Sequence, residues 1–214
     1  MIVDLSTWRR AGDPAVTVVD GAPVLVWRCE RPWLAVSSAP HGGGIGERHW
    51  VLNATVSVDY DRDDPDQHVT EIAAAAGLLG VGTGLLTAVD VRRVRSTCDS
   101  GVVASVTTGL GGRPTWAAAP AAMCEPTAIG TINTVCWLPA RLSDGALINA
   151  VVTATEAKAQ ALVEVGVPGT GTCTDAVVLL CPTTGPAEPY GGPRSRIGSA
   201  VARAVHAAVA AGLR

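Results

Sequence analysis

The sequence predicts an α+β protein: a mixed β-sheet packed by two or three helices, in a single domain over residues 1–214. Two observations lead there. Strand-like runs crowd the first sixty residues while helical patterns enter only later, so the regular alternation of a doubly wound sheet is missing. A hydrophobic content of 48% over 214 residues is also ample for one buried core. Phe is absent and aromatics are only 4%, which leaves Ala, Val, Gly and Leu to fill that core tightly.

The first strands read "AVTVVDG", "PVLVWRC", "WLAVSS" and "HWVLNATVSV", divided by Gly, Pro and Asp. "DDPDQHVTEIAAAAG" predicts a helix, with Asp64 as N-cap, Pro65 at its first position and Gln67 closing a capping box. Strands follow near 81–95, 101–109 and 127–138. The spacing then predicts a long helix over 144–165. Ser143 suits its N-cap, Leu142 and Leu147 have the spacing of a hydrophobic staple, and Asp144 suits the positive end of the dipole. Gly166, Val167 and Pro168 supply the stop. A buried strand "DAVVLLC" (175–181) and a final helix near 195–211 complete the chain, the latter with Ile197, Val201, Val205 and Val209 in an i+4 row toward the core.

Several function classes fall away. The net charge is −3 and no basic patch with interleaved aromatics occurs, which argues against nucleic acid as the main partner. The uncharged run Ile72–Val89 holds four glycines and two threonines, so it is expected to split into a helix tail and a strand rather than cross a membrane. "MIVDLSTWRR" has no apolar core of a signal peptide, and a cytoplasmic location is expected. The six cysteines (29, 98, 124, 136, 173, 181) include no C-x-x-C pair and are expected to be free thiols. The four histidines show no ligand spacing, so no protein-built metal site is expected.

Four stretches carry polar groups where the pattern wants carbon. On the wheel of the 144–165 helix, Leu147, Ile148, Val151, Leu162 and Val165 share an arc of about 100°, and Thr155 and Lys158 fall inside it. A lysine there either snorkels, pairs with a buried acid or is a functional group. In "GTINTV" (130–135) Asn133 needs partners if buried, for structure or for function. In "GTGTCTDAVVLL" (169–180) Thr170, Thr172 and Thr174 would share one face of an extended chain; Asp175 then either caps loop amides or acts as a base or the partner of a cation. "HGGGIGERHWVLNATV" (41–56) is either a glycine-rich hairpin or a close approach to a large ligand, with Asn53 as a polar handle. No Walker A loop, G-x-G-x-x-G or G-x-S-x-G motif is completed, which leaves nucleotide binding and an α/β-hydrolase unsupported.

Taken in order, "HGGGIGERHWVLNATV", "DRDDPDQHVTEI", "GTGLLTAVDV", "GTINT", "LSDGALINAVVTATEAKAQAL", "GTCTDAVVL" and "YGGPRSRIG" resemble the adenosylcobinamide amidohydrolase (CbiZ) family, over 36–96 and 126–210. His41 and Cys173 depart locally from that pattern. The resemblance implies a hydrolase of corrinoid salvage. It would cleave the aminopropanol amide of adenosylcobinamide to give adenosylcobyric acid, which re-enters coenzyme B12 synthesis, and 1-amino-2-propanol. It implies no cofactor held by the protein, because the cobalt and the adenosyl group belong to the substrate. It names the corrinoid as partner, with neither nucleic acid nor membrane, and leaves an oligomer open.

Amide hydrolysis needs a nucleophile, stabilisation of an oxyanion and a proton for the leaving amine. The expected catalytic set is Lys158 in a pocket near Asp175, with Thr155 as nucleophile or positioning hydroxyl, and Glu156 from the matching "TEAK". Glu156 points away on the wheel and is expected in a second pocket, a subunit contact or a loop cap. Asn133 and the backbone of 169–172, including Gly171 and Thr172, are expected as the oxyanion hole; Asn53, Thr131, Thr174, Gly43 and Gly44 are expected to touch substrate. Two other functions compete: a corrinoid-binding protein without turnover, and an amidohydrolase for another secondary amide.

Overall fold

The computed structural model describes residues 14–111, 114–118 and 130–214. Among the described residues, eight strands form one mixed sheet: β1 (Ala15–Val19), β2 (Ala22–Ser37), β3 (Gly44–Thr55), β4 (Gly82–Thr87), β5 (Arg95–Asp99), β6 (Val102–Gly109), β7 (Thr131–Trp137) and β8 (Ala176–Pro182). The spatial order is β4-β3-β2-β8-β7-β6-β5, with β1 added to β2. The β3–β4 and β7–β8 pairs are parallel and the others antiparallel. Three α-helices among the described residues cover the sheet: α1 (Pro65–Ala75), α2 (Asp144–Glu164) and α3 (Arg196–Gly212). The predicted α+β class and helix count are therefore observed.

Local chemistry explains most boundaries. Asp20–Gly21 and Ser100–Gly101 take positive φ at both positions, the geometry that joins twisted antiparallel strands in two residues. The α2 ends follow the predicted signals. Ser143 accepts from Ala146 N, and beyond the helix Gly166 N donates to Val163 O while Val167 N folds back to Leu162 O at 2.9 Å. The predicted capping box of α1 does not form. Asp64 occupies the N-cap position without a side-chain cap, because its carboxylate is held by Arg62 at 2.8 and 2.9 Å. The two runs expected as separate strands are one strand, β2, irregular between Arg28 and Trp33. The 81–95 region divides into β4, a 3-10 turn at Val91–Arg93 and the start of β5. Of the strand expected over 127–138, residues 127–129 lie outside the described residues.

Side chains alternate between two environments along every central strand. One set (Leu25, Trp27, Val51, Leu85, Val135, Trp137, Val178 and Leu180 among them) comes from both arms of the sheet and forms one buried cluster, so the sheet curls around it. The opposite set packs outward. Val26, Leu52 and Ala54 meet α1, whereas Val106, Ile132, Cys136 and Leu179 meet α2 and α3. The row Ile197, Val201, Val205, Val209 is fully in that outer core, as predicted. The apolar run from Ile72 is shared between α1 and β4, and no helix among the described residues is long and apolar enough to cross a membrane.

The buried face of α2 differs from the one expected. Alanines 146, 150, 154, 157 and 161 line it with Leu147, Leu162, Thr153 and Lys158, while Ile148 and Val165 are exposed. Small side chains suit this face because α3 and the 190–195 loop come close: a Cβ on Gly191 would press into the α2 backbone, 2.7 Å from Ala150 N. Thr153 Oγ1 donates to Gly191 O at 2.9 Å across this contact.

Burial pushes the thiols of Cys29 and Cys136 up to about 12 and raises that of Cys181, whereas Cys98 and Cys173 are exposed. A thiol-reactive dye at pH 8 should therefore modify Cys98 and Cys173 rapidly in the folded protein, and Cys29, Cys136 and Cys181 only after denaturation, as read by peptide mapping. Rapid labelling of Cys136 would contradict the packing of α2 and α3 on β7.

Candidate active site

The curl of the sheet brings the ends of β3 and β4 against the beginnings of β7 and β8, and a cavity of about 420 Å³ opens there. Its walls are mainly apolar: Val56, Val58, Leu85, Leu86, Ala88 and Ala176. Tyr60 and Arg62 stand on the segment between β3 and α1; Arg62 is fixed by Asp64 and Glu71, and Tyr60 stacks on His68 at 5.4 Å. Thr131, Asn133, Thr174 and Asp175 form a polar end.

Asp175 precedes β8, and its carboxylate is surrounded by donors. Oδ1 accepts Ile132 N at 2.9 Å and faces the Thr172 hydroxyl at 2.5 Å; Oδ2 accepts Thr172 N at 3.1 Å and pairs with Lys158 Nζ. Three donors are thus fixed on it, and the Thr172 hydroxyl, which also has Gly130 O within reach, is an alternative fourth. Lys158, only 8% exposed, reaches this ion pair from the buried face of α2, and its ammonium lies against Asp175 rather than among the residues that line the cavity. The predicted Lys158–Asp175 encounter is present. A buried lysine among alanines and leucines would leave an uncompensated charge, and the Asp175 carboxylate removes that cost. Gly171 makes the approach possible, since a Cβ there would collide with both Lys158 Nζ and Asp175.

The three threonines of "GTGTCTD" divide. Thr170 hydroxyl accepts from Ala117 N at 3.1 Å, away from the cavity. The Thr172 and Thr174 hydroxyls approach Gly130 O at 2.6 and 2.9 Å. A carbonyl only accepts, so Thr174 donates to it and can receive Thr131, whose hydroxyl lies 2.6 Å away. Of the four loop amides expected as donors, three are engaged elsewhere, and Gly171 is not among the residues that line the cavity. Gly169 N donates to Val167 O, Thr170 N to Thr115 O and Thr172 N to Asp175.

Asn133 is 2% exposed and its orientation is fixed by its neighbours. Nδ2 donates to Leu86 O at 2.9 Å and to Asn53 Oδ1 at 3.0 Å; Asn53 Nδ2 in turn donates to Thr107 Oγ1 at 3.0 Å. The Leu86 carbonyl cannot donate, so the atom facing it must be Nδ2. Both hydrogens of the Asn133 amide are therefore engaged. Its Oδ1 has no partner among the described residues and is not sealed in protein. The amide thus offers the cavity an acceptor, which removes it from the expected oxyanion hole.

Asn53 holds Asn133 from behind. Thr155 lies one turn from Lys158 at the edge of the buried face, but it is exposed and its hydroxyl donates within the helix to Val151 O at 2.9 Å rather than to Lys158 or Asp175. Glu156 lines a second cavity of about 350 Å³ between α2 and α3, with Gln160, Arg203 and His206, as its position on the wheel foretold. Gly43 and Gly44 turn between β2 and β3 outside the cavity. There Arg48, buried, takes Gly42 O at 2.8 Å, and the Gly43 carbonyl lies 3.4 Å away. His41 pairs with Asp66 at 2.7 Å and stacks on Trp50. Sequence reasoning missed Thr107 and the wall from Val56 to Arg62. Only the run "DRDDPDQHVTEI" hinted at that wall, and nothing in it specified a cavity. No three His, Cys, Asp or Glu among the described residues gather closely enough to hold a metal ion.

A family model described as adenosylcobinamide amidohydrolase (CbiZ) matches residues 12–214. The chain belongs to the adenosylcobinamide amidohydrolase family. An adenosylcobinamide amidohydrolase of Methanosarcina mazei is 32% identical over 80% of this chain and 86% of its own length. One of Halobacterium salinarum is 34% identical over 85% of this chain and 79% of its own. The chain is thus a family enzyme, an amidohydrolase. The crystal structure of the PH0078 protein from Pyrococcus horikoshii OT3 aligns with 90% of this chain and 77% of its own at 13% identity, with a TM-score of 0.45.

Proposed function

We propose that this amidohydrolase cleaves the amide between the corrin ring and the aminopropanol arm of adenosylcobinamide. The products are adenosylcobyric acid, which returns to coenzyme B12 synthesis, and 1-amino-2-propanol. The observation that carries the reading is the apolar cavity ending at Asp175, Asn133 and Thr131, in a chain of this family. The corrin macrocycle is far larger than the cavity, so the arm enters while the ring stays outside, against the Val58–Arg62 segment. The cobalt and the adenosyl group arrive with the substrate.

The chemistry then follows from the hydrogen bonds. Water adds to the amide carbon, the C–N bond breaks with its electron pair on nitrogen, and the nitrogen takes a proton. Asp175 is the acidic residue that lines the cavity. The Thr172 hydroxyl has one proton and two acceptors, Gly130 O and Asp175 Oδ1. When it turns to Gly130, Asp175 Oδ1 is open to take a proton from the attacking water and pass it to the leaving nitrogen. Lys158 is a positioning residue: it fixes Asp175 through Oδ2.

Incubation of the protein with adenosylcobinamide in the dark, followed by mass spectrometry, tests the reading. Adenosylcobyric acid and 1-amino-2-propanol in equal amounts are expected. Saturable binding with unchanged substrate would overturn it in favour of a corrinoid-binding role.

A further inference from the structure

The donors and acceptors at the polar end of the cavity are unequally supplied. Both amide hydrogens of Asn133 are engaged behind the wall, by Leu86 O and Asn53 Oδ1. With its proton on Gly130 O, the Thr174 hydroxyl can receive Thr131, and in that arrangement Thr131 Oγ1 has lone pairs only. The loop amides of Gly169, Thr170 and Thr172 donate elsewhere. What these side chains leave for a ligand is two acceptors, Asn133 Oδ1 and Thr131 Oγ1, beside the Asp175 carboxylate; the Thr87 hydroxyl, which accepts Val89 N and lines the same cavity, is a donor outside this group. Residues 131 and 133 alternate to the same face of β7 and so stand ~6.5–7 Å apart. A hydrogen bond of about 3 Å from each end lets a short ligand with two neighbouring donors bridge them.

Resting on the proposed reaction, we infer that Asn133 and Thr131 form a subsite for a vicinal amino alcohol. Asn133 Oδ1 receives the N–H of the scissile amide, and Thr131 Oγ1 receives the hydroxyl two carbons away. As the nitrogen leaves and gains a proton, its bond to Asn133 becomes charge-assisted, so the contact strengthens along the reaction. The site reads the departing amine, and the acyl oxygen is stabilised outside this pair.

The test is direct binding, followed by NMR of the labelled protein titrated with 1-amino-2-propanol, with propylamine (no hydroxyl) and with propionate. The wild type should bind 1-amino-2-propanol at least about tenfold more tightly than propylamine, because a buried acceptor built for a hydroxyl is left unpaired by its analogue. Propionate should not compete. Thr131→Val should bring the two amines to equal affinity by weakening only the hydroxylated one; Asn133→Leu should weaken both. Wild-type affinity that is equal for the two amines, or competition by propionate at Thr131 and Asn133, would overturn the subsite even if the enzyme hydrolyses its substrate. Selective amine binding without any hydrolysis would sustain the subsite and sink the reaction instead. The wild-type comparison stands even if a variant does not fold.

Discussion

Replacing Lys158 by methionine is expected to cost about 3–5 kcal/mol of stability, the usual penalty for removing one partner of a buried ion pair, and to reduce hydrolysis at least about a hundredfold. Both consequences have one origin. The ammonium is 8% exposed and Asp175 is its partner, so methionine leaves a carboxylate without its counter-charge among apolar walls. The loop from Gly169 to Thr174 is anchored on that carboxylate through the Thr172 amide and hydroxyl, so the loop loosens with it. The double variant Lys158→Met/Asp175→Leu separates the two effects. With neither charge buried, much of the stability should return while activity stays lost. Urea unfolding and a product assay on the three proteins measure this. Full activity in folded Lys158→Met would remove Lys158 from the site.

Trp137→Ala is expected to be destabilising by about 3–5 kcal/mol, without a specific effect on turnover at a temperature where the variant remains folded. Trp137 ends the inner row of β7, beneath Asn133 and Val135, and its ring meets Trp33 edge-on at 5.1 Å. Alanine leaves a void inside the curl that the rest of the sheet is too rigid to fill. Phenylalanine is the informative control. Trp137 Nε1 is buried without a hydrogen-bond partner among the described residues, so Trp137→Phe gives up no hydrogen bond and keeps an aromatic edge. It should lose less than half of what alanine loses, as read from thermal melts.

How far the sequence reached depended on how local the cause was. The ends of α2 were legible because Ser143, Gly166 and Val167 act on backbone groups within a turn of themselves. The Lys158–Asp175 pair was legible as an incongruity, a lysine that the helix pattern places inside. Which face of α2 is buried was not. Counting large apolar residues favoured Ile148 and Val165, whereas close packing against α3 selected the alanines and turned Thr155 to solvent. The α1 cap failed for a similar reason, since Arg62 competes for Asp64 from outside the helix. Asn133 was recognisable as a polar group in a buried strand. Its role as an acceptor depends on Leu86 and Asn53, which are 47 and 80 residues away. No spacing rule carries that information.

On the proposed reaction, the amide is cleaved at the Asp175 end of the cavity. Asp175→Asn tests it most directly, in one experiment with two readouts: the affinity for adenosylcobinamide, followed through the corrin absorbance, and the rate of formation of 1-amino-2-propanol. Affinity within a few fold of the wild type is expected, because the ring rests outside this end, with a rate at least about a hundred times lower. An unchanged rate would place the reaction elsewhere on the molecule.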